Sequence, residues 1–425
     1  MMKYLKTLLM TSVIGLTALP ALAQQNIVWW DFLSGGDGVR MKALIDGFNK
    51  EHPDIQISGT TLEWGVPFYT KVRTSVAVGE GPDVMTYHLS RAPLGLEEGV
   101  LSEITDEDMK NAGLSRGDFF EAPIKAATYD GKLYAVPFDI HAIILYYNAD
   151  ALKGSPYLDD NGKLTGIKTL ADFEGALKWL KDNGMETPLT YQTGGDGGVW
   201  RVFYTLLKQQ GGEFIADGQV LPGDNAAKAA KAIQTMTHWQ EEGWAPQQAE
   251  YEASVALFSS GKSAFQLNGV WEVPTFNDLE ASGKLGFKWG AVEIPPLMGQ
   301  PATWADSHAF AIPNQGDKTI SGEKRKAVME VIGWMEKHAI KWASAGHIPA
   351  YKPVTESDEY KGMEPNATYA SLAAHAAYDP QTRVTGVASP AYDAAINIIS
   401  PAIHGYMSPE DAVTQIQEEL QGQLK

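Results

Sequence analysis

The chain has 425 residues, 44% hydrophobic and 20% charged, with a formal net charge of −18 and no cysteine. That is globular composition on a chain too long for one ordinary core, so two domains are expected. The acidity argues against nucleic acid or anionic lipid as partners, and the missing cysteine excludes disulfides, a thiolate zinc site and a lipid-modified cysteine.

In chain order, Met1 to Ala23 has Lys3 and Lys6, then an apolar run from Leu8 to Leu22 interrupted by Pro20, and Ala21-Leu22-Ala23 before Gln24. This reads as a secretory signal peptide with a small-x-small cleavage site, not a membrane anchor, which needs roughly 20 uninterrupted apolar residues. Without the two leader lysines the mature chain carries 32 basic against 52 acidic residues, net −20. With no cysteine to lipidate, a soluble periplasmic protein is expected.

The mature chain opens with strand Ile27–Trp30, the loop Ser34-Gly35-Gly36-Asp37-Gly38, and a helix with apolar residues at Met41, Leu44, Ile45 and Phe48. Strand Ile55–Thr61 and then Val84–Tyr87 follow. This alternation predicts an α/β fold with a largely parallel sheet and helices on both faces. Between Asp130 and Asn148, Asp130-Gly131 marks a tight turn, Lys132–Val136 has strand composition, and Ala142–Tyr147 is a continuously apolar strand. Pro137 stands between them and no turn residue folds the second strand back. The chain either leaves one sheet for another there, with Asp139 and His141 at the crossing, or runs as one long kinked strand.

Beyond the crossing, Asp159-Asp160-Asn161-Gly162 fails the calcium-loop pattern at Lys163 and reads as a hairpin turn. Helix Leu170–Asn183, strand Pro188–Tyr191 and helix Val199–Gln210 then begin a second α/β unit. Gly35-Gly36-Asp37-Gly38 recurs as Gly194-Gly195-Asp196-Gly197, each time after a strand, before a helix, and behind a hydroxyl residue (Ser34, Thr193). Such turns line the ligand crevice of open α/β sheets, with plain loop chemistry as the alternative. Helix Glu323–His338, with Val328, Ile332 and Met335 on one stripe, and helix Pro409–Leu420 read as scaffold.

Asp130-Gly131-Lys132-Leu133-Tyr134-Ala135-Val136-Pro137 followed by Tyr146-Tyr147-Asn148 resembles the crossover signature of family 1 extracellular solute-binding proteins, the maltose-binding-protein-like components that feed sugar ABC importers. Phe48–Ile55, Gly79–Val84, Phe258–Phe265 with Gly269-Val270-Trp271, and Gly346-His347-Ile348-Pro349-Ala350 resemble further family segments in the same order. The resemblance implies a two-lobed periplasmic-binding-protein fold, each lobe a largely parallel sheet flanked by helices and joined by hinge strands. It implies a first lobe of residues 24–138 and 297–348 and a second of 139–296 and 349–425. By the same resemblance, the cleft is lined by Ser34, Gly35, Gly36 and Asp37, by Trp64, by Asp83 and His88, and by Asp139. The second lobe contributes Gly195, Asp196, Trp200, Gly269 and Trp271, then Trp304 and Asp306. Arg383 is a further candidate, equally suited to the surface, and Asp83 equally suits the turn.

Enzyme motifs fail. Gly261-Lys262-Ser263 ends like a phosphate-binding loop, but Ala256 stands where that loop requires glycine. There is no Gly-x-Ser-x-Gly elbow and no His-Glu-x-x-His helix, and the nine histidines show no ligand spacing. A glycosidase pair among the many carboxylates stays open, since their separation in space is invisible here. The aromatic supply points elsewhere: of twelve tryptophans, Trp64, Trp200, Trp271 and Trp304 lie beside polar residues, and although core packing is the commoner role of any one of them, the group is expected to supply at least one platform for a sugar's flat C–H face. The expectation is a monomeric binding protein that closes on a carbohydrate and delivers it to permease subunits with their ATPase, with no metal, cofactor or catalytic residue. A polyamine or glycerol phosphate ligand on the same fold is the alternative.

Overall fold

The computed structural model describes residues 24–195 and 197–424; the expected leader and Asp196 lie outside the described residues. Strand Gln25–Asp31 buries Ile27 and Trp29 by alternation, and helix Gly35–Glu51 buries Met41, Leu44 and Phe48 at three- and four-residue spacing. The strand is flanked in parallel by Ile55–Thr61 on one side and Val84–His88 on the other. Antiparallel His308–Ala311 and then Val136–Pro137 complete a five-stranded first sheet.

The second sheet is built on Asp139–Asn148, the hinge strand, in which all ten residues are buried. It pairs antiparallel with Phe265–Gly269 and Thr303–Asp306, and these pair in parallel with Leu189–Thr190 and Ala376–Tyr378 respectively. Trp289–Val292 and Ile348–Pro349 also join the hinge strand, both antiparallel. This sheet is therefore mixed where a largely parallel one was expected. The hinge strand enters from the other sheet instead of from a crossover helix, so the parallel direction that βαβ connections impose does not apply to it.

Val136–Pro137 and Asp139–Asn148 belong to different sheets, so the chain crosses at Phe138 and does not run on as one kinked strand. It crosses back at Ser307, between Thr303–Asp306 and His308–Ala311. Because Thr303–Asp306 still pairs with the hinge strand, this change of sheets falls after the 296/297 boundary expected from sequence. The crossings are tied together: Phe138 N donates to His308 O at 2.8 Å, Ala350 N donates to Phe138 O at 3.0 Å, and the Ser307 hydroxyl donates to Asp139 O.

Asp83 belongs to this framework and not to the cleft. It stands at the start of strand Val84–His88, whereas the cleft opens at the strand's far end. Its carboxylate accepts from Val28 N and pairs with Lys324, both at 2.8 Å. Asp83→Ala is expected to lower stability by about 1–3 kcal/mol in urea unfolding while leaving ligand affinity unchanged. Lost affinity without lost stability would restore Asp83 to the site.

Candidate functional site

A cavity of about 460 Å³ opens between the two sheets, at the crossings. Phe32, Leu33, Ser34, Gly35, Gly36, Asp37 and Trp64 form its wall on the first-sheet side. Gln192, Gly197, Arg201, Tyr251, Glu252, Trp271, Glu272 and Thr275 form the opposite wall, and His88, His141 and His308 form the floor. The walls meet at the mouth: a Cβ on Gly36 would lie 2.5 Å from Pro274, and Arg40 faces Asp278 at 3.7 Å.

The floor is organised by buried polar contacts. The Tyr69 hydroxyl lies 2.6 Å from His88 Nδ1, and Phe32 stacks on the His88 ring with centroids 4.4 Å apart. Burial holds His88 well below the ordinary imidazole range, helped by His308 and His141. It pushes His141 down to about 3. Asp139 lies beneath the floor, fully buried, and accepts from His141 Nδ1 at 3.0 Å, His308 Nδ1 at 2.8 Å, His308 N at 2.9 Å and Trp342 Nε1 at 2.7 Å. Burial works to raise the Asp139 carboxyl, but His308, His347 and His141 together hold it well below the usual carboxylate range.

Arg201 lies in the angle between two indoles, its guanidinium carbon 4.8 Å from the Trp271 ring centre and 4.7 Å from that of Trp304. Among the described residues no hydrogen bond engages that guanidinium. Trp271 is held in turn by its own indole N–H, which donates to Tyr251 Oη at 2.7 Å, while the Tyr251 hydroxyl donates to Glu272. Gly269 makes room for this arrangement: a Cβ there would lie 2.2 Å from the Trp271 ring.

Of the residues expected from sequence, Ser34, Gly35, Gly36, Asp37, Trp64, His88 and Trp271 line the cavity. Asp139 lies under it, and Gly269 acts through Trp271. Gly195 packs near Gln192 and Glu250 outside the lining, and Asp196 lies outside the described residues. Trp200 and Trp304 are corrections. Both are fully buried, and their indole N–H groups converge on Asp379 Oδ1 at 2.8 and 3.2 Å, so neither offers a face to a ligand. Asp306 is buried too, spent on the amide and hydroxyl of Ser90 and the amide of Ser307. Arg383 is a half-exposed surface partner of Glu97 at 3.2 Å.

Sequence reasoning passed over Arg201, Gln192, Tyr251, Glu252, Glu272 and Thr275, and left off the site both His141, although it was placed at the crossing, and His308. Arg201 had a usable signal, since it is a cation one residue from Trp200, near the start of the helix after the second glycine-rich loop. That helix, Gly197–Gln209, is buried on nearly all sides, so its periodicity does not reveal which face meets the cleft.

Burial pushes the Asp379 carboxyl from its ordinary 3.8 up to about 7, offset in part by Asp379's bonds to Trp200 and Trp304. The folded state therefore holds this proton more tightly than the unfolded chain. That contribution to stability is complete below about pH 4 and lost as the pH rises to about 7. Asp379→Asn keeps the acceptor without the charge. Its unfolding free energy relative to the parent should rise across this window, by an amount on the order of several kcal/mol at most; a pH-independent difference contradicts the assignment.

Comparison with known proteins follows the same lines. Residues 34–342 match the bacterial extracellular solute-binding protein family. A maltooligosaccharide ABC transporter solute-binding lipoprotein of Streptococcus pneumoniae serotype 4 is 25% identical over 366 residues, covering 80% of this chain and 77% of that one. A lactose-binding protein of Rhizobium radiobacter is 25% identical over 307 residues, 70% and 68% of the two chains. Maltose-bound MalE3 of T. maritima shares the fold with a TM-score of 0.78 at 20% identity, over 94% of this chain and 99% of that one. The GacH receptor of Streptomyces glaucescens, solved unliganded and with acarbose, does so with 0.77 at 18% identity, over 94% and 98%. The two-lobed fold is common to all these structures, and with a family match spanning most of its length the chain belongs to the bacterial extracellular solute-binding proteins.

Proposed function

We propose that the protein is the periplasmic substrate-binding component of an ABC importer, which captures a carbohydrate in the interlobe cleft by domain closure and delivers it, chemically unchanged, to its permease. The observation that carries this reading is the composition of the cavity. Both lobes contribute to it, with Trp64 and Trp271 as aromatic surface and Asp37, Gln192, Arg201 and Glu252 as edge-binding groups. A sugar's C–H face stacks on an indole while its hydroxyls exchange hydrogen bonds with carboxylate, amide and guanidinium. Trp64 is the platform, 36% exposed and edge-on to His88, whereas Trp271 is already engaged by Arg201.

The sugar-binding relatives support the ligand class, and the family supports an extracellular or periplasmic location. Among the described residues no helix is long and apolar enough to cross a membrane. Periplasmic residence, a monomeric state, the permease and ATPase partners and the absence of catalysis belong to the proposal. So does the division into lobes, drawn at Phe138, Ser307 and Ile348–Pro349. A ligand held by both walls favours the closed arrangement by its differential affinity for it.

Thermal stability of residues 24–425 against mono-, di- and trisaccharides, charged sugars, polyols, polyamines and glycerol phosphates, with product analysis of each hit, tests the reading. A true ligand at about a hundred times its Kd adds about 2.7 kcal/mol. Conversion of the hit makes the protein an enzyme, and a response to polyamine or phosphate ester alone overturns the ligand class. With the hit in hand, Trp64→Ala and Arg201→Ala should each weaken binding about tenfold or more by calorimetry. Gly269→Ala should do the same indirectly, with a shift in tryptophan fluorescence as Trp271 is displaced.

A further inference from the structure

Under the cleft floor, three imidazoles converge on one carboxylate. Asp139 Oδ1 lies 3.0 Å from His141 Nδ1, and its Oδ2 lies 2.8 Å from His308 Nδ1 and 3.4 Å from His347 Nδ1. One ligand atom from each of the four residues falls within 4.8 Å of the others, and all four side chains are buried. Tetrahedral zinc, with bonds of about 2.0–2.1 Å to nitrogen and oxygen, spaces its donors about 3.4 Å apart, so small side-chain adjustments would seat an ion among them. We propose that Asp139, His141, His308 and His347 form a binding site for a divalent transition-metal ion of the zinc class.

The convergence of the four buried side chains carries the proposal, and the placing of His347 fits it. Its Nε2 lies 2.9 Å from Asp37 Oδ1, while its Nδ1, fully buried and without a hydrogen-bond partner, points toward Asp139 Oδ2. A ring held between two carboxylates is satisfied either by a proton on each nitrogen or by a metal ion at Nδ1, and imidazole ¹⁵N NMR separates the two.

The surroundings match what metal sites require. Asp37 on His347 Nε2 makes the carboxylate–histidine–metal relay that orients a ligating imidazole, and Trp342 Nε1, 2.7 Å from Asp139 Oδ2, anchors the ligating carboxylate. His141 and His308 line the cavity, so an ion has an entry path from the cleft. Three imidazoles and one carboxylate, with no thiolate, suit Zn²⁺, Ni²⁺ or Cu²⁺ and not the hard ions Ca²⁺ and Mg²⁺. A second grouping, His88, His141 and Asp306, shares His141, and its other members are spent on Tyr69 and Ser90. Asp139 and His141 follow the crossing at Phe138, His308 follows that at Ser307 and His347 precedes strand Ile348–Pro349, so a bound ion would cross-link the hinge.

Residues 24–425, stripped with a chelator and free of carbohydrate, should be titrated with Zn²⁺ alone by calorimetry and thermal melting, and with Co²⁺ by visible absorption. The expected result is one ion per chain, a rise in melting temperature reversed by chelator, and the intense visible bands of tetrahedral Co²⁺. His347→Gln and His308→Gln should each weaken Zn²⁺ binding by ~100-fold or more, and His375→Gln, beside Glu293 at the surface, should not change it. If a floor variant does not fold, the Co²⁺ spectrum of the parent decides. No binding at ~1 mM Zn²⁺, octahedral Co²⁺ bands, or affinity unaltered in both floor variants overturns the site. So does imidazole ¹⁵N NMR that finds His347 doubly protonated with Zn²⁺ present. Because no sugar is used, failure here is distinguishable from failure of the carbohydrate reading.

Discussion

Asp139 is a fully buried carboxylate placed where the chain passes from one sheet to the other, and the geometry of the cleft depends on how that charge is satisfied. An unpaired charge at zero exposure is strongly destabilising, so its partners are obligatory. They come from three separate stretches of chain: His141 on the hinge strand, His308 after the return crossing, and Trp342 beside the third connection. Two of these groups, His141 and His308, are also the cavity floor. The same contacts that hold the crossings together therefore position the surface against which a ligand settles.

The walls are fixed by a different logic, in which aromatic rings orient polar groups. Trp304 is buried and hydrogen-bonded to Asp379, which makes it a rigid backstop for Arg201. Trp271, on the cavity side, is braced by Tyr251 and by the space Gly269 leaves. Arg201 thus reaches the cleft preoriented, its long side chain having already lost much of its rotamer freedom, which lowers the entropic penalty of binding. Opposite it, Trp64 is the indole with the most surface to offer. One wall is preorganised polarity and the other an open aromatic face, as a flat molecule with a hydroxyl rim requires.

Much of the fold was legible in the sequence, because the helix and strand periods of the first lobe are strong. Helix Gly35–Glu51 and strands Gln25–Asp31 and Ile55–Thr61 follow the pattern of Met41, Leu44, Phe48 and the apolar runs, except that Gly35–Gly38, expected as a loop, form the first turn of the helix, with Ser34 at its N-cap. The crossing after Pro137 was half legible: proline cannot donate to a ladder, but one long kinked strand fitted the same residues. The site was half legible. Glycine-rich segments after strands announce themselves, but tryptophans do not: Trp200 and Trp304 sit beside polar residues in sequence yet are fully buried, both indoles donating to the distant Asp379. The histidine floor was illegible by spacing, for His88, His141, His308 and His347 are scattered along the chain and meet only through the crossings. An expectation of no metal site drawn from local spacing could not have seen them together.

The central claim is that a ligand gripped by both walls closes the lobes about the crossings. Since the chain has no cysteine, residues introduced at exposed Lys42 and Lys284, one on each lobe, can be spin-labelled cleanly, and the distance between them measured with and without a saturating sugar hit. The account predicts a shorter, narrower distance distribution when the sugar is bound. A distribution unchanged at full occupancy, with binding verified by calorimetry on the labelled protein, would contradict it.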